Sequence, residues 1–220
     1  MHIDSAPYIP THRFDGEYIN ENHRYYSYCK KSGVCIDTGI DGWLHTGDAL
    51  KIYELTYFSA GDILNMGTYK GLSASIILSA IKDSGKKLVC NSVDINVITT
   101  EEARDNLSDS TNELQEVINF YICDGVLFLD TMIMQNKKYG FAFIDAGHGY
   151  KNTYANAIRL NKLLISGGFV LFHDYIDRRN FDEESYYGVF QATNDALLVD
   201  NKFVFCGVFG CSALFRYVGM

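Results

Sequence analysis

The stretch Ile63-Leu64-Asn65-Met66-Gly67-Thr68-Tyr69-Lys70-Gly71-Leu72-Ser73 joins a short apolar run to a helix-like one through two glycines. Glycine lets a backbone turn sharply and come close to a ligand. A helix opening near residue 72 offers free N–H groups and the positive end of its dipole to a carboxylate or a phosphate. The Gly-x-x-x-Gly spacing is not the dinucleotide fingerprint Gly-x-Gly-x-x-Gly, and the Gly-Lys-Ser/Thr of a P-loop is missing. An ordinary strand-to-helix turn is the plain alternative. Asp94 follows a second apolar run, 23 positions after Gly71. An acid there can accept both hydroxyl hydrogens of a ribose, or simply cap a helix. Asp130, Asp145 and the pair His173-Asp174 close three more apolar runs. One polar residue at a strand end means little, but five along one edge indicate a site.

The elements that must position these residues are legible from residue 43 onward. Thr46 is placed to cap a helix, with Asp48 in its first turn and Leu50, Tyr53 and Tyr57 on an apolar face. Ile63 and Leu64 open a strand. A helix runs from about 72 to 82, with Gly85 as its stop, and a second strand covers 88–93. Thr99 with Glu102 and Ser110 with Glu113 have capping-box spacing and announce helices. Residues 126–129 read as a third strand ending at Asp130, and 141–144 as a fourth ending at Asp145. A helix over 151–164 stops at Gly167-Gly168, and a fifth strand covers 169–172. A helix over 188–198 precedes two strands near 203–208 and 213–218, whose short connection makes them an antiparallel hairpin. The fold class is therefore α/β: a doubly wound, Rossmann-like, seven-stranded, mostly parallel sheet with a C-terminal antiparallel hairpin and helices on both faces. Ligands bind such sheets at the carboxyl ends of the strands.

Composition narrows the partners. The chain has 220 residues, 47% hydrophobic and 21% charged, which suits one globular domain. Nineteen Lys and Arg against 27 Asp and Glu give a formal net charge of -8, which disfavours nucleic acid and anionic membrane as main partners. No apolar run approaches the ~20 residues of a membrane span, and no signal-like start is visible. The six cysteines include no C-x-x-C pair. Several lie in apolar runs, which reads as reduced, buried thiols and a cytoplasmic location. Residues 1–41, with both prolines and Tyr25, Tyr26 and Tyr28, form an N-terminal arm ahead of a domain spanning 42–220. The arm reads as a loose extension, a flap over a site or a homodimer contact.

Several segments, taken together, resemble the class I S-adenosylmethionine (SAM)-dependent methyltransferases, in particular the small-molecule O-methyltransferase branch called methyltransferase family 24. They are Gly42-Trp43-Leu44-His45, residues 63–73, Val93-Asp94-Ile95, Phe143-Ile144-Asp145-Ala146-Gly147-His148-Gly149-Tyr150 and Gly167-Gly168 with Val170-Leu171-Phe172-His173-Asp174-Tyr175. The last two, in this order and spacing, are the most specific. The resemblance implies that Gly67, Thr68, Tyr69 and Gly71 wrap the methionine part of SAM, with Ser73 near its carboxylate. It implies that Asp94 holds the ribose, that Ile95 lies against adenine and that Asp130 and Thr131 reach the adenine edge. Asn65 stands where the family usually has an acid facing the methionine end, so the charge attraction there is lost.

Asp145, His148, His173 and Asp174 then fall where a methyl acceptor lies. A hydroxyl acceptor must lose its proton, and His148 is a candidate general base. Alternatively Asp145 and Asp174, with His173 between them in the motif, would form a Mg²⁺ site that stabilises an alkoxide. Related sugar enzymes carry an acid at the position of His173. The leading function is methyl transfer to a small-molecule hydroxyl. A non-catalytic SAM-binding relative is the alternative that Asn65 motivates. A nucleotide-dependent oxidoreductase is disfavoured by the glycine spacing and the terminal hairpin.

Overall fold

A computed structural model of the chain describes residues 13–14, 17–18, 39–108, 117–199 and 201–219. Its sheet contains β1 (Ile63–Met66), β2 (Cys90–Asp94), β3 (Ile118–Ile122), β4 (Tyr139–Ile144), β5 (Leu164–Phe172), β6 (Phe203–Phe209) and β7 (Ser212–Tyr217). The strand order is β3-β2-β1-β4-β5-β7-β6. The pairs from β3 through β5 are parallel, and β7 runs antiparallel to both β5 and β6. Outside the sheet, Arg13–Phe14 pairs antiparallel with Glu17–Tyr18. The helices are α1 (Thr46–Tyr57), α2 (Leu72–Ser84), α3 (Val97–Asn106), α4 (Gly125–Met134), α5 (Tyr150–Ala157), α6 (Leu160–Leu163) and α7 (Val189–Leu197), with a 3-10 turn at Arg178–Phe181.

Alternation along the central strands fills a core on each face of the sheet. Ile63, Phe141, Phe143 and Leu171 pack with Ile52, Tyr53 and Leu55 of α1 and Ile77 of α2. Leu64, Ala142, Ile144, Val170 and Phe172 pack with Phe128 and Leu129 of α4 and Leu160 of α6. Every residue of β4 is buried, which is why it reads as an unbroken apolar run. Burying side chains such as Phe141 and Phe143 contributes about 1.5–3 kcal/mol each.

The strand ends set up the loops. Beyond each parallel strand the ladder continues by one backbone bond. Cys123 N–H donates to Asp94 O (3.0 Å), Gly67 N–H to Val93 O (2.9 Å), Asp145 N–H to Met66 O (2.8 Å) and His173 N–H to Ile144 O (3.0 Å). Five loops therefore leave the sheet side by side, and β1 and β4, whose loops diverge to opposite sides, form the topological switch point.

Most expected elements are present, and the hairpin, the parallel strands and the Gly85 stop (φ 66°) stand as read. Five readings need correction. The third strand is Ile118–Ile122, not 126–129; the latter residues lie in α4. The strand is partly exposed and contains Asn119, whereas the Val-Leu-Phe-Leu run that mimicked it is a helix face capped by Asp124. The helix expected over 151–164 is two, α5 and α6. Gly167 and Gly168 lie inside β5, where the register against β4 shifts, so they serve a bulge and not a helix stop. α3 starts at Val97 with Asn96 as its cap, ahead of Thr99. α1 is preceded by His45 as N-cap residue, whose N–H is taken by Asp48 (2.9 Å). The Ser110–Glu113 helix signal lies outside the described residues, as does nearly all of the arm.

Gly67 has φ 94°, and a Cβ there would stand 2.1 Å from the backbone oxygen of Asp145. Left-handed strain and a backbone clash would act together in Gly67→Ala. The expected loss is about 3 kcal/mol or more in urea unfolding; a loss below about 1 kcal/mol would contradict this packing.

Candidate active site

A cavity of about 910 Å³ opens at the carboxyl ends of the parallel strands and straddles the β1/β4 switch point. That is the upper end of small-ligand pockets, roomy enough for a cofactor-sized molecule. Gly67, Thr68, Tyr69, Ser73, Asp94 and Ile95 line it from β1, β2 and the start of α2. Asp145, His148, His173 and Asp174 line it from β4 and β5. Two separate groups of residues singled out in the sequence thus line one space.

On the first side Asp94 organises the glycine turn. Its carboxylate accepts Tyr69 N–H at 2.8 Å and Asn96 N–H at 2.9 Å. The first bond holds Tyr69 at φ 43°, a conformation costly for a bulky residue. A carboxylate has about four acceptor positions, so two remain after these bonds. Leu72 and Ser73 open α2 beside it, behind Gly71 at φ 96°. Trp43 stands over this side with its ring 5.3 Å from that of Tyr69.

Four expected cofactor contacts are placed otherwise. Asn65 is fully buried and does not line the cavity: its Nδ2 donates to Ser92 Oγ (2.9 Å) and its Oδ1 accepts from Ser73 Oγ (3.1 Å). Ser92 Oγ in turn bonds Thr68 Oγ1 (2.8 Å). The amide positions two lining hydroxyls from behind. Gly71 also stays behind the lining; a Cβ there would press on Ala103 at 3.2 Å. Asp130 and Thr131 lie within α4, a consequence of the misplaced strand. Asp130 makes two bonds to Arg159 (2.7 and 2.9 Å), which lower its carboxyl pKa, and Thr131 bonds Leu127 O. Cys123 and Asp124, from the β3–α4 loop, and Gly125 and Val126, from the start of α4, line the cavity instead. An Asp immediately before an apolar run is a helix-start signal, and it was the clue to them.

The second side is a compact ionic cluster. Asp145 Oδ1 receives His148 Nε2 at 3.2 Å and His173 Nδ1 at 3.1 Å. Asp174, held at φ 57°, approaches His148 Nε2 at 3.3 Å through Oδ2. Burial alone would raise the Asp145 carboxyl, but His173 and His148 outweigh it and hold it below the ordinary value. Burial alone would lower His173, yet Asp145, and the bonds from Asp145 and Cys211, lift it well above the ordinary range. His173 is walled in, with Nδ1 on Asp145 and Nε2 against Cys211. His148 is more open. Its ring stacks on Tyr187 (4.9 Å, 7°), which carries the Arg179 guanidinium on its face (3.9 Å). Arg179 is itself clamped by Asp177 (2.8 Å), and both line the cavity. The loop after β5 thus reaches the cavity through Asp177, Arg179 and Tyr187.

The donor set matches magnesium poorly. Mg²⁺ takes oxygen ligands in octahedral order, while Asp145 Oδ1 is committed to two imidazoles. Groups with donor atoms close enough to share an ion include Asp145-His148-Asp174, His173-Asp174-Cys211 and His45-Asp48-Cys211. Among the described residues the expected trio Asp145-His173-Asp174 is not one of them, and each of the three includes a His.

The family described as a methyltransferase domain matches residues 64–175, just over half the sequence, so the chain belongs to that family. No curated protein matches the sequence. Three similar solved structures are the O-methyltransferase TomG from Streptomyces achromogenes, an O-methyltransferase from Bacillus cereus and the methyltransferase PaMTH1 from Podospora anserina. TomG, involved in tomaymycin synthesis and in complex with SAM, is 14% identical, with 80% of this chain and 82% of that chain covered and a TM-score of 0.68. The Bacillus cereus enzyme, in complex with SAH, is 14% identical with 89% of each covered and a TM-score of 0.65. PaMTH1, SAH-bound, is 13% identical with 89% and 86% covered and a TM-score of 0.64. At these identities the likeness establishes the methyltransferase fold.

Asn65→Leu keeps volume but strips Ser73 and Ser92 of their buried partner. It is expected to cost about 2 kcal/mol in urea unfolding. A change within about 0.5 kcal/mol would show that this network contributes nothing.

Proposed function

We propose that this methyltransferase moves a methyl group from SAM to a hydroxyl oxygen of a small molecule. The observation that carries the reading is the single cavity whose one side is the Asp94-locked glycine turn and whose other side is the His148–Asp145–Asp174 cluster. The SAM and SAH bound in similar folds support it. SAM supplies an electrophilic methyl on a sulfonium. This chain's residues do the rest. The two free acceptor positions of Asp94 take the ribose hydroxyls, and the N–H groups opening α2 face the amino-acid carboxylate. Ile95 and Val126 offer apolar surface to the adenine. None of these roles calls for an acid at position 65, because that side chain works from behind the wall.

His148 is the proton acceptor in this reading. Its Nε2 faces two carboxylates, which only accept, so Nε2 carries the hydrogen and the lone pair is on Nδ1. The acceptor O–H gives its proton to Nδ1 as the new C–O bond forms and the S–CH₃ bond breaks. Asp145 and Asp174 stabilise the resulting imidazolium, and Tyr187 fixes the ring plane. Holding the two reactants in line supplies much of the acceleration. The net charge of -8 and the acids lining the cavity favour a small molecule over a polynucleotide as acceptor.

Calorimetry with S-adenosylhomocysteine is expected to give a Kd on the order of micromolar. Asp94→Ala should weaken it about 10–100-fold, while Asp130→Ala should leave it unchanged. Absence of binding would remove the reading. In a turnover screen of hydroxylated metabolites, His148→Ala should lower kcat about 10²–10⁴-fold with cofactor affinity retained. Cofactor binding with no turnover of any hydroxylated compound would favour the non-catalytic relative.

A further inference from the structure

Behind His173 lies a donor cluster to which Asp48 and Cys211, which methyl transfer does not use, both contribute. Asp48 comes from the first turn of α1, His173 from the end of β5 and Cys211 from the turn between β6 and β7. Cys211 Sγ is 3.3 Å from His173 Nε2 and 3.7 Å from Asp48 Oδ2, and Nε2 is 3.8 Å from Oδ2. Asp174 Oδ1 stands 3.8 Å from Sγ. A tetrahedral ion with bonds of about 2.0–2.3 Å has donor–donor edges of roughly 3.3–3.8 Å. The three side chains already stand at those edges.

Their outer partners aim them inward. Asp145 takes Nδ1–H of His173 (3.1 Å) and so directs Nε2 at the sulfur; a carboxylate behind a ligating imidazole is the usual support of a metal-bound His. Asp48 Oδ1 accepts Cys211 N–H (3.1 Å), Ser212 N–H (3.0 Å) and the Ser212 hydroxyl. Its Oδ2, which also takes His45 N–H (2.9 Å), faces the sulfur and the imidazole. Asp48 is 0% exposed, His173 6% and Cys211 7%. Gly210 belongs to the same fit, because a Cβ on it would stand 2.5 Å from the Asp48 carboxyl.

The geometry points to a divalent ion of the zinc or cobalt class, bound by Asp48, His173 and Cys211 with Asp174 as the nearest fourth donor. Thiolate and imidazole select such an ion over magnesium. Binding releases the Cys211 thiol proton and the proton on His173 Nε2, and ties α1, β5 and the hairpin turn together. The ion site shares His173 and Asp174 with the methyl-transfer cluster, but it has no part in holding the cofactor, so the calorimetry above is unaffected by its failure.

The test uses the full chain, stripped with a chelator, dialysed and titrated with Co²⁺ alone. A near-ultraviolet sulfur-to-cobalt charge-transfer band should grow to saturation at one equivalent. Zn²⁺ should displace it and excess Mg²⁺ should not. Cys211→Ser should remove the band, and Asp145→Asn should weaken Co²⁺ binding about 10–100-fold. Cys211 also lines the cavity, so iodoacetamide reaches it. In the unmutated protein Co²⁺ should protect Cys211 from alkylation, read by peptide mass mapping, and leave labelling of Cys123 and Cys206 as before. No band, a band that survives Cys211→Ser, or equal alkylation of Cys211 with and without Co²⁺ would overturn the site. The protection measurement decides even where Cys211→Ser does not fold.

Discussion

The site depends on how closely β1 and β4 can approach each other where they end. Gly67 has no side chain, so the Asp145 carbonyl can lie where a Cβ would be. That contact holds the loop after β1 against the loop after β4. The first loop leads into the glycine turn and α2, the second into the His148 segment and α5. With a larger residue at 67 the two halves of the cavity would be pushed apart, and an in-line reaction tolerates little displacement.

Two carboxylates translate this contact into chemistry, one in each half. Asp94 spends part of its acceptor capacity on the turn that it shapes, through Tyr69 and Asn96 N–H. Asp145 spends one oxygen on His148 and His173. Both thus fix their surroundings before any ligand arrives, which is what preorganisation requires. Tyr69 and Asp174 carry left-handed backbone in the loops that meet the cavity, and the packed strands beneath over-determine it.

How far the sequence could be read follows from the same physics. The central strands are buried on both faces, so their apolar runs and terminal acids stood out, and with them Gly67, Asp94, Asp145 and His173-Asp174. β3, with only one buried residue, gave a weak pattern, and the apolar face of α4 outcompeted it. That single exchange put Asp130 and Thr131 at the expected cavity edge, where Cys123–Val126 stand. The burial of Asn65 behind Ser73 depends on which side of β1 it faces, and a four-residue strand gives little to fix that. Asp48 and Cys211 are 163 positions apart, and only the packing of α1 on the hairpin turn brings them together. No local spacing encodes that meeting.

The central claim is that one cavity across the β1/β4 boundary presents a methyl donor to an acceptor. A crystal structure with S-adenosylhomocysteine bound tests it most directly. The expected result has the ribose hydroxyls on Asp94, the amino-acid tail in the Gly67–Ser73 turn and the sulfur facing His148. A ligand seated elsewhere, or one whose sulfur points away from the β4 and β5 loops, would contradict it.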